Sequence, residues 1–226
     1  MERLRILVLF GGCSSEHEVS LQSAHGVLTH MDPERYCPIP VGITREGAWY
    51  VYTGPLFVKP VRAGSSFGVS RVEEPAQLAP AVEAAFRHDG EILLEEAIPG
   101  FEVGCAVLGN RELTVGAVDE VELSRGFFNY TEKYTLQTSA IHCPARIAPQ
   151  KAAEIRETAK VLYRALGCRG FARVDLFLTP WGEIVFNEVN TIPGFTPHSR
   201  YPAMMRAAGI PFRELVSRLI QLGAEL

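Results

Sequence analysis

The chain has 226 residues, 47% of them hydrophobic and 21% charged, with a formal net charge of −4. That length can bury one sizeable core or two small ones, and that composition excludes a wholly disordered chain. Lys and Arg are scattered rather than clustered, which excludes a nucleic-acid binder that works by neutralising phosphates. In chain order, residues 4–10, continuously apolar from Ile6 to Phe10, end at Gly11-Gly12, the pattern of a parallel strand buried on both faces. The run is too short for a signal-peptide core or a membrane span, and no later stretch approaches one, so a soluble, cytoplasmic protein is expected. Residues 18–30 place Val19, Ser23, Val27 and His30 at helical spacing. A strand, a Gly turn and a helix open a Rossmann-like half. Residues 37–43 read as a second strand, and Arg45-Glu46-Gly47 turns the chain into a short strand at 49–52.

At Gly54-Pro55 this pattern breaks off. Two or three strands are too few to cover both faces of a sheet, yet residues 57–59 already begin a different unit. It continues with a Gly/Ser loop (63–68), a helix near 75–87 and strands at 92–96, 102–108 and 113–118. Residues 123–139 read as a polar and aromatic loop. Pro149 opens a helix with Ile155, Ala159, Leu162 and Leu166 on one face, and Gly167 stands at its end. Residues 170–178 and 183–189 read as two strands joined through Thr179-Pro180-Trp181-Gly182, followed by a Pro/Gly loop and helices near 201–208 and 211–222. The five cysteines, Cys13, Cys37, Cys105, Cys143 and Cys168, are widely spaced, so neither a disulfide framework nor a zinc site is expected.

The richest chemical constellation is Arg173-Val174-Asp175 with Glu188-Val189-Asn190. Residues two apart in a strand share a face, so pairing of the two strands would put two carboxylates, an amide and a guanidinium on one surface. Oxygen ligands of this kind suit magnesium completed by phosphate oxygens and water; cross-strand ion pairs on an exposed sheet are the alternative. Lys59 followed by the Gly/Ser loop can place N–H groups around phosphate, or can be an ordinary surface loop; no Walker A motif is present. Glu95, Glu96 and Glu102 can take a nucleoside's amino group and hydroxyls, or can be solvated surface.

Taken together, LFGGCSSEHEVSLQSA, FVKPVRAGSSFGVS, EKY, GFARVDLF and NEVNTIPGFTPHS resemble the D-alanine–D-alanine ligase family of ATP-grasp enzymes. The resemblance covers most of the chain and implies an α/β (α+β) fold: ATP-grasp with a partial Rossmann-like N-terminal domain. It implies domains at 1–54 (partial N-terminal), 55–98 (partial central ATP-binding) and 99–226 (C-terminal ATP-grasp, with metal site and substrate loops). It also implies ATP and two Mg2+ (or Mn2+) ions, small-molecule D-alanine and D-serine or D-alanine as partners, no nucleic acid or membrane partner, and a homodimer by analogy.

Residue by residue, the resemblance gives Glu16 the ammonium of the first D-alanine, with Ser65 and Tyr134 completing its hydrogen-bonded set. Lys59, Ser66 and Lys133 match ATP phosphate contacts. Glu95 and Glu102 match adenine and ribose contacts, and Glu96 and Ile98 backbone contacts and packing. Asp175, Glu188 and Asn190 match the metal site, Arg173 and the Gly194 amide the oxyanion donors, and Ser199 the group that holds the second substrate's carboxylate. Arg200, commonly aliphatic at its position in the family, implies D-serine over D-alanine by hydrogen-bonding the serine hydroxyl; pairing with a nearby carboxylate is the alternative. The flanking segments resemble the vancomycin-resistance D-alanyl–D-serine ligases.

The chain departs from the family at Gly54-Pro55. A His- and Gly-rich segment, a second ATP-binding lysine and part of the first-substrate pocket are missing there. Either the protein carries an internal segment that this sequence leaves out, or the deletion is real; in the second case the alternative function is a catalytically impaired, internally deleted remnant that only binds nucleotide or a partner.

Overall fold

The computed structural model describes residues 3–51, 54–64, 66–74, 77–123 and 139–225. They fall into two compact units, Met1–Ala97 and Ile98–Leu226.

In the first unit, β1 (Leu4–Gly11) runs parallel to β2 (Tyr36–Ile43), and β3 (Trp49–Val51) adds antiparallel at the far edge of β2. The Gly-Gly ending of β1 is required by a close approach. Gly11 has φ +87°, and a Cβ there would lie 2.2 Å from the Ile43 carbonyl oxygen. That same oxygen accepts the Gly12 N–H at 2.8 Å. Helix α1 (His17–His30) then packs back on β1.

Parallel pairing follows the sequence expectation, but burial on both faces does not. Val8 is buried, whereas Leu7 and Leu9, which alternate with it, are 56% and 48% exposed, and Leu4 is 62% exposed. A single helix covers only one face of a three-stranded sheet, and a parallel sheet normally has both faces covered.

The same unit holds a second antiparallel sheet, β5 (Ser70–Val72), β4 (Leu56–Pro60) and β6 (Ile92–Glu96) in that order. Helix α2 (Leu78–Phe86) closes it over a small core of Val58, Val72, Ala81 and Ala85. The three-residue β5 was not expected, because so short a strand shows no alternation to read.

The second unit is built on an antiparallel sheet ordered β11 (Ile184–Asn190), β10 (Phe171–Leu178), β7 (Phe101–Leu108), β8 (Thr114–Leu123) and β9 (Ser139–His142). β8 runs five residues beyond the expected 113–118, and β9 begins at the last residue of the expected 123–139 loop, where no strand was expected. Alternation sends Val103, Cys105, Val107, Ala172, Val174 and Leu176 to one face, where α3 (Pro149–Ala165) buries Ile155, Ala159 and Tyr163 against them. Each fully buried Val, Leu or Ile among them contributes about 1.5–3 kcal/mol. The Tyr163 hydroxyl donates to the Gly109 carbonyl at 2.9 Å, so its burial leaves no polar atom unsatisfied. On the opposite face, α4 (Arg200–Ala207) and α5 (Phe212–Ala224) bury Tyr201, Met204, Met205 and Leu215 over Ala106 and Leu108. Beside that second cluster, the face becomes charged.

Candidate active site

One cross-strand row defines the charged face. Asp119 of β8 pairs in register with Gly104 of β7, Gly104 with Asp175 of β10, and Asp175 with Glu188 of β11. Arg173 pairs in register with Asn190. After Asp175 the register shifts, so that Leu176 faces Phe186 and Asn187 is skipped. This bulge keeps Glu188 and Asn190 on the face of Arg173 and Asp175, while Val189 packs into the α3 core.

Asp175 is buried, and both of its carboxylate oxygens accept hydrogen bonds. Arg173 Nε donates to Oδ1 at 2.8 Å and to Oδ2 at 3.0 Å, and Nη2 donates to Oδ2 at 2.8 Å. Asn190 Nδ2 donates to Asp175 Oδ2 at 2.8 Å and to Glu188 Oε1 at 3.2 Å. The structure therefore brings Asp175 and Glu188 each within hydrogen-bonding distance of Asn190. Two carboxylates and an amide oxygen are hard donors of the kind that fits magnesium. Among the described residues no three His, Cys, Asp or Glu side chains gather into a metal cluster. An ion held here would complete its shell from phosphate oxygens and water, as magnesium does.

Arg200 carries the charge at the other end of the row. Its Nε donates to Asp119 Oδ2 at 2.7 Å, Nη2 to Asp119 Oδ1 at 2.8 Å, and Nη1 to Glu102 Oε1 at 2.8 Å. Nη2 also lies 3.7 Å from Asp175 Oδ1. The Arg200 side chain is 11% exposed and that of Asp119 0%. Burial works against the guanidinium's charge, but Asp119, Asp175 and Glu102 outweigh it and hold the group protonated. Arg200 thus pairs with nearby carboxylates, and Glu102, expected at a nucleotide, spends an oxygen on Arg200.

Asp119 was missed by the sequence reading. Its signals are a carboxylate directly after the apolar run of residues 115–118 and the glycine inside FEVGCAVL. A Cβ at Gly104 would lie 2.6 Å from both Arg200 Nη2 and Asp119 Oδ1.

The loop leading into α4 positions Gly194 and Ser199. Ser199 stands at the helix N-cap, and its Oγ accepts the Thr196 N–H at 3.0 Å and lies 2.8 Å from Thr196 Oγ1. A Cβ on Gly194 would sit 3.3 Å from Ser199 Oγ, so the two residues are close neighbours. Because Arg200 follows Ser199 directly, its bond to Asp119 ties this loop to the sheet.

In the first unit, Lys59 Nζ lies 2.6 Å from Glu95 Oε2. Glu96 is exposed. Ser66 has φ +58° in the Gly/Ser loop. Glu16 is exposed at the N-cap of α1, where its carbonyl accepts the Ser20 N–H at 2.8 Å. Ile98, at the start of the second unit, is half-buried. Ser65, Lys133 and Tyr134 lie outside the described residues.

A family model described as "D-ala D-ala ligase C-terminus" matches residues 45–221. The chain belongs to the D-alanine–D-alanine ligase family. A putative D-alanine–D-lactate ligase of Streptomyces coelicolor is 34% identical over 339 aligned positions, covering 98% of each chain. The vancomycin C-type resistance protein VanC2 of Enterococcus casseliflavus is 46% identical over 171 residues, 76% of this chain and 49% of that one. The crystal structure of the VanG D-Ala:D-Ser ligase from Enterococcus faecalis has a TM-score of 0.69 at 39% identity, covering 98% of this chain and 99% of that one. The expected ATP-grasp architecture of mixed α/β type is therefore the fold of this family member.

The first of these alignments also measures the shortfall. It spans nearly all of both proteins, and 339 aligned positions against 226 residues leave at least 113 positions without a counterpart here. The gap is internal. Among the described residues no helix is long and apolar enough to cross a membrane.

Proposed function

We propose that this family member joins D-alanine to a second D-amino acid at the expense of ATP, with D-serine preferred over D-alanine, to supply the dipeptide of peptidoglycan precursors. The nucleotide requirement puts the reaction in the cytoplasm. On this reading residues 1–54 are a partial N-terminal domain, 55–98 a partial central ATP-binding subdomain, and 99–226 the C-terminal ATP-grasp subdomain. The observation that carries the proposal is the shared face of Asp175, Glu188 and Asn190, joined through Asn190 Nδ2.

Asp175, Glu188 and Asn190 would hold two magnesium or manganese ions, which when bound neutralise the charge of the ATP phosphates. Lys59, Ser66 and Lys133 would contact the phosphates, with Glu95, Glu96, Ile98 and Glu102 at the nucleoside. Glu16 would orient the first D-alanine by its ammonium, so that its carboxylate takes the γ-phosphoryl group and becomes an acyl phosphate. The second amine then attacks the acyl carbon and phosphate leaves. Arg173 Nη1, which has no hydrogen-bond partner among the described residues, and the Gly194 N–H are the oxyanion donors. One such donor contributes about 3–4 kcal/mol to the transition state.

Ser199 would take the second substrate's carboxylate. Next to it, Arg200 is held rigid by Asp119 and Glu102, and a rigid guanidinium can orient a serine hydroxyl where an aliphatic side chain would favour a methyl group.

The test is a turnover assay on the 226-residue chain after its mass of 24.9 kDa has been verified. With ATP, Mg2+, D-alanine and D-serine the expected result is phosphate release and D-alanyl-D-serine by mass spectrometry. Phosphate release without dipeptide, or D-alanyl-D-alanine as the main product, would defeat the D-serine reading.

A second reading is favoured by the 113 missing positions and by the uncovered Leu7 and Leu9 of β1. On that reading the chain is an internally deleted remnant that binds nucleotide or a partner without ligating. Nucleotide binding in calorimetry with no turnover at verified mass would support it.

A further inference from the structure

The turn that follows α2 grips the glycine-rich loop at both ends. At the start of the loop, Asp89 Oδ2 accepts the Arg62 backbone N–H at 2.7 Å, and Oδ1 accepts Arg62 Nη2 at 2.8 Å. Arg62 Nε reaches both oxygens at 3.2 Å, and the Glu91 N–H adds another bond to Oδ1 at 3.2 Å. The Val61 N–H donates to the Glu91 carbonyl at 3.1 Å. Although it sits in a surface turn, the Asp89 side chain is only 5% exposed. The Arg62 guanidinium and these N–H groups hold its carboxyl down to about 2.

At the end of the loop, the His88 ring meets Phe67 edge-on with centroids 5.0 Å apart. Gly68, at φ +73°, leaves no room for a side chain, since a Cβ would lie 2.5 Å from His88 Cδ2 and 3.0 Å from Pro60 Cγ. Adjacent residues 88 and 89 therefore fix the two ends of one loop. Loops that cradle phosphate work by presenting N–H groups in a preset arrangement, because ordering them at the moment of binding costs affinity.

We propose that Asp89 is a positioning residue that, together with His88, fixes Val61–Arg62 and Phe67–Gly68, the two ends of the glycine-rich loop, for the phosphates of a nucleotide. This rests on the nucleotide reading of that loop and touches no residue of the Asp175 row.

The test compares the full chain with Asp89→Asn and His88→Ala, using AMP-PNP with Mg2+ and, separately, adenosine as probes. A carboxylate that accepts four or more N–H bonds becomes, in Asp89→Asn, an amide with one accepting oxygen and an NH2 facing donors. The expected result is Val61–Arg62 amides that exchange at least about tenfold faster, AMP-PNP bound roughly tenfold more weakly, and adenosine affinity unchanged. Equal weakening of adenosine and AMP-PNP would show a general structural role and overturn the proposal. Unchanged exchange at these amides would overturn it as well. If the unmodified chain binds no AMP-PNP, the nucleotide reading fails, and the exchange measurement still decides whether Asp89 sets the loop.

Discussion

Asp119 and Arg200 form a two-pronged ion pair, 2.7 and 2.8 Å across, in which the carboxylate has no exposure to solvent. Removing one partner leaves a buried charge alone, and that is far more costly than removing both. Arg200→Leu should therefore lower stability by about 3–5 kcal/mol, and Arg200→Leu with Asp119→Leu should recover most of the loss. Chemical denaturation of the two variants measures this. The double variant is also the fair background for selectivity: its D-serine/D-alanine product ratio should fall below that of the unmodified chain. An unchanged ratio removes Arg200 from substrate choice.

Gly104 should tolerate no side chain. The Cβ of Gly104→Ala would press on both partners of that pair at 2.6 Å, and Met204 Cε stands 2.9 Å away. A loss of about 1–3 kcal/mol is expected from overpacking. Thermal denaturation reads it, and a melting temperature equal to that of the unmodified chain would mean that the pair yields freely.

The proposed metal ligands should separate by burial. Glu188 is exposed, so Glu188→Gln should leave stability within about 0.5 kcal/mol while weakening Mn2+ binding, read by electron paramagnetic resonance, at least about tenfold. Asp175 is buried and accepts from both Arg173 and Asn190, so Asp175→Asn should cost about 1.5–3 kcal/mol in addition to weakening Mn2+ binding. Mn2+ affinity unchanged in both would sink the metal assignment.

Acid stability should depend on a ladder at the β8–β9 edge. Arg146 Nη2 lies 2.6 Å from Glu120 Oε1 and 3.0 Å from Glu122 Oε2, and His142 Nε2 lies 2.6 Å from Glu122 Oε2. The Arg146 hydrogen bonds hold Glu120 below its ordinary value of 4.5, and the His142 hydrogen bond and the Arg146 charge do the same for Glu122. Folded-state values below the unfolded ones mean stability that is present above pH 4.5 and lost as pH falls through the lowered values. A Glu120→Gln, Glu122→Gln variant should thus be less stable than the unmodified chain at pH 7, with the two converging on acidification below pH 4.5. Parallel curves across that window would contradict the ladder.

Thiol chemistry should follow exposure. Burial pushes Cys105 up to about 12 and Cys143 to about 11, whereas Cys13 is exposed. Iodoacetamide at pH 8 should label Cys13 in the folded chain and Cys105 only after denaturation, as peptide mass mapping would show.

The sequence alone was enough for most of the elements, because period-2 and period-3.6 patterns, Gly11-Gly12 and Pro149 are local signals. It also put Arg173 with Asp175 and Glu188 with Asn190, since residues two apart in a strand must share a side, but the pairing and bulge of β10 and β11 decided that both pairs share one face. Tertiary structure decided what local pattern cannot encode. Strand register set Asp119 beside Gly104 and Asp175, and the docking of α4 delivered Arg200 to that row from 81 residues away in the chain. The exposure of Leu7 and Leu9 was likewise invisible in their apolar run, because burial depends on what else the chain supplies to cover a face, and here one helix covers one side. Side-chain type and spacing act over a few residues, whereas charge pairing and burial are set by contacts between segments far apart.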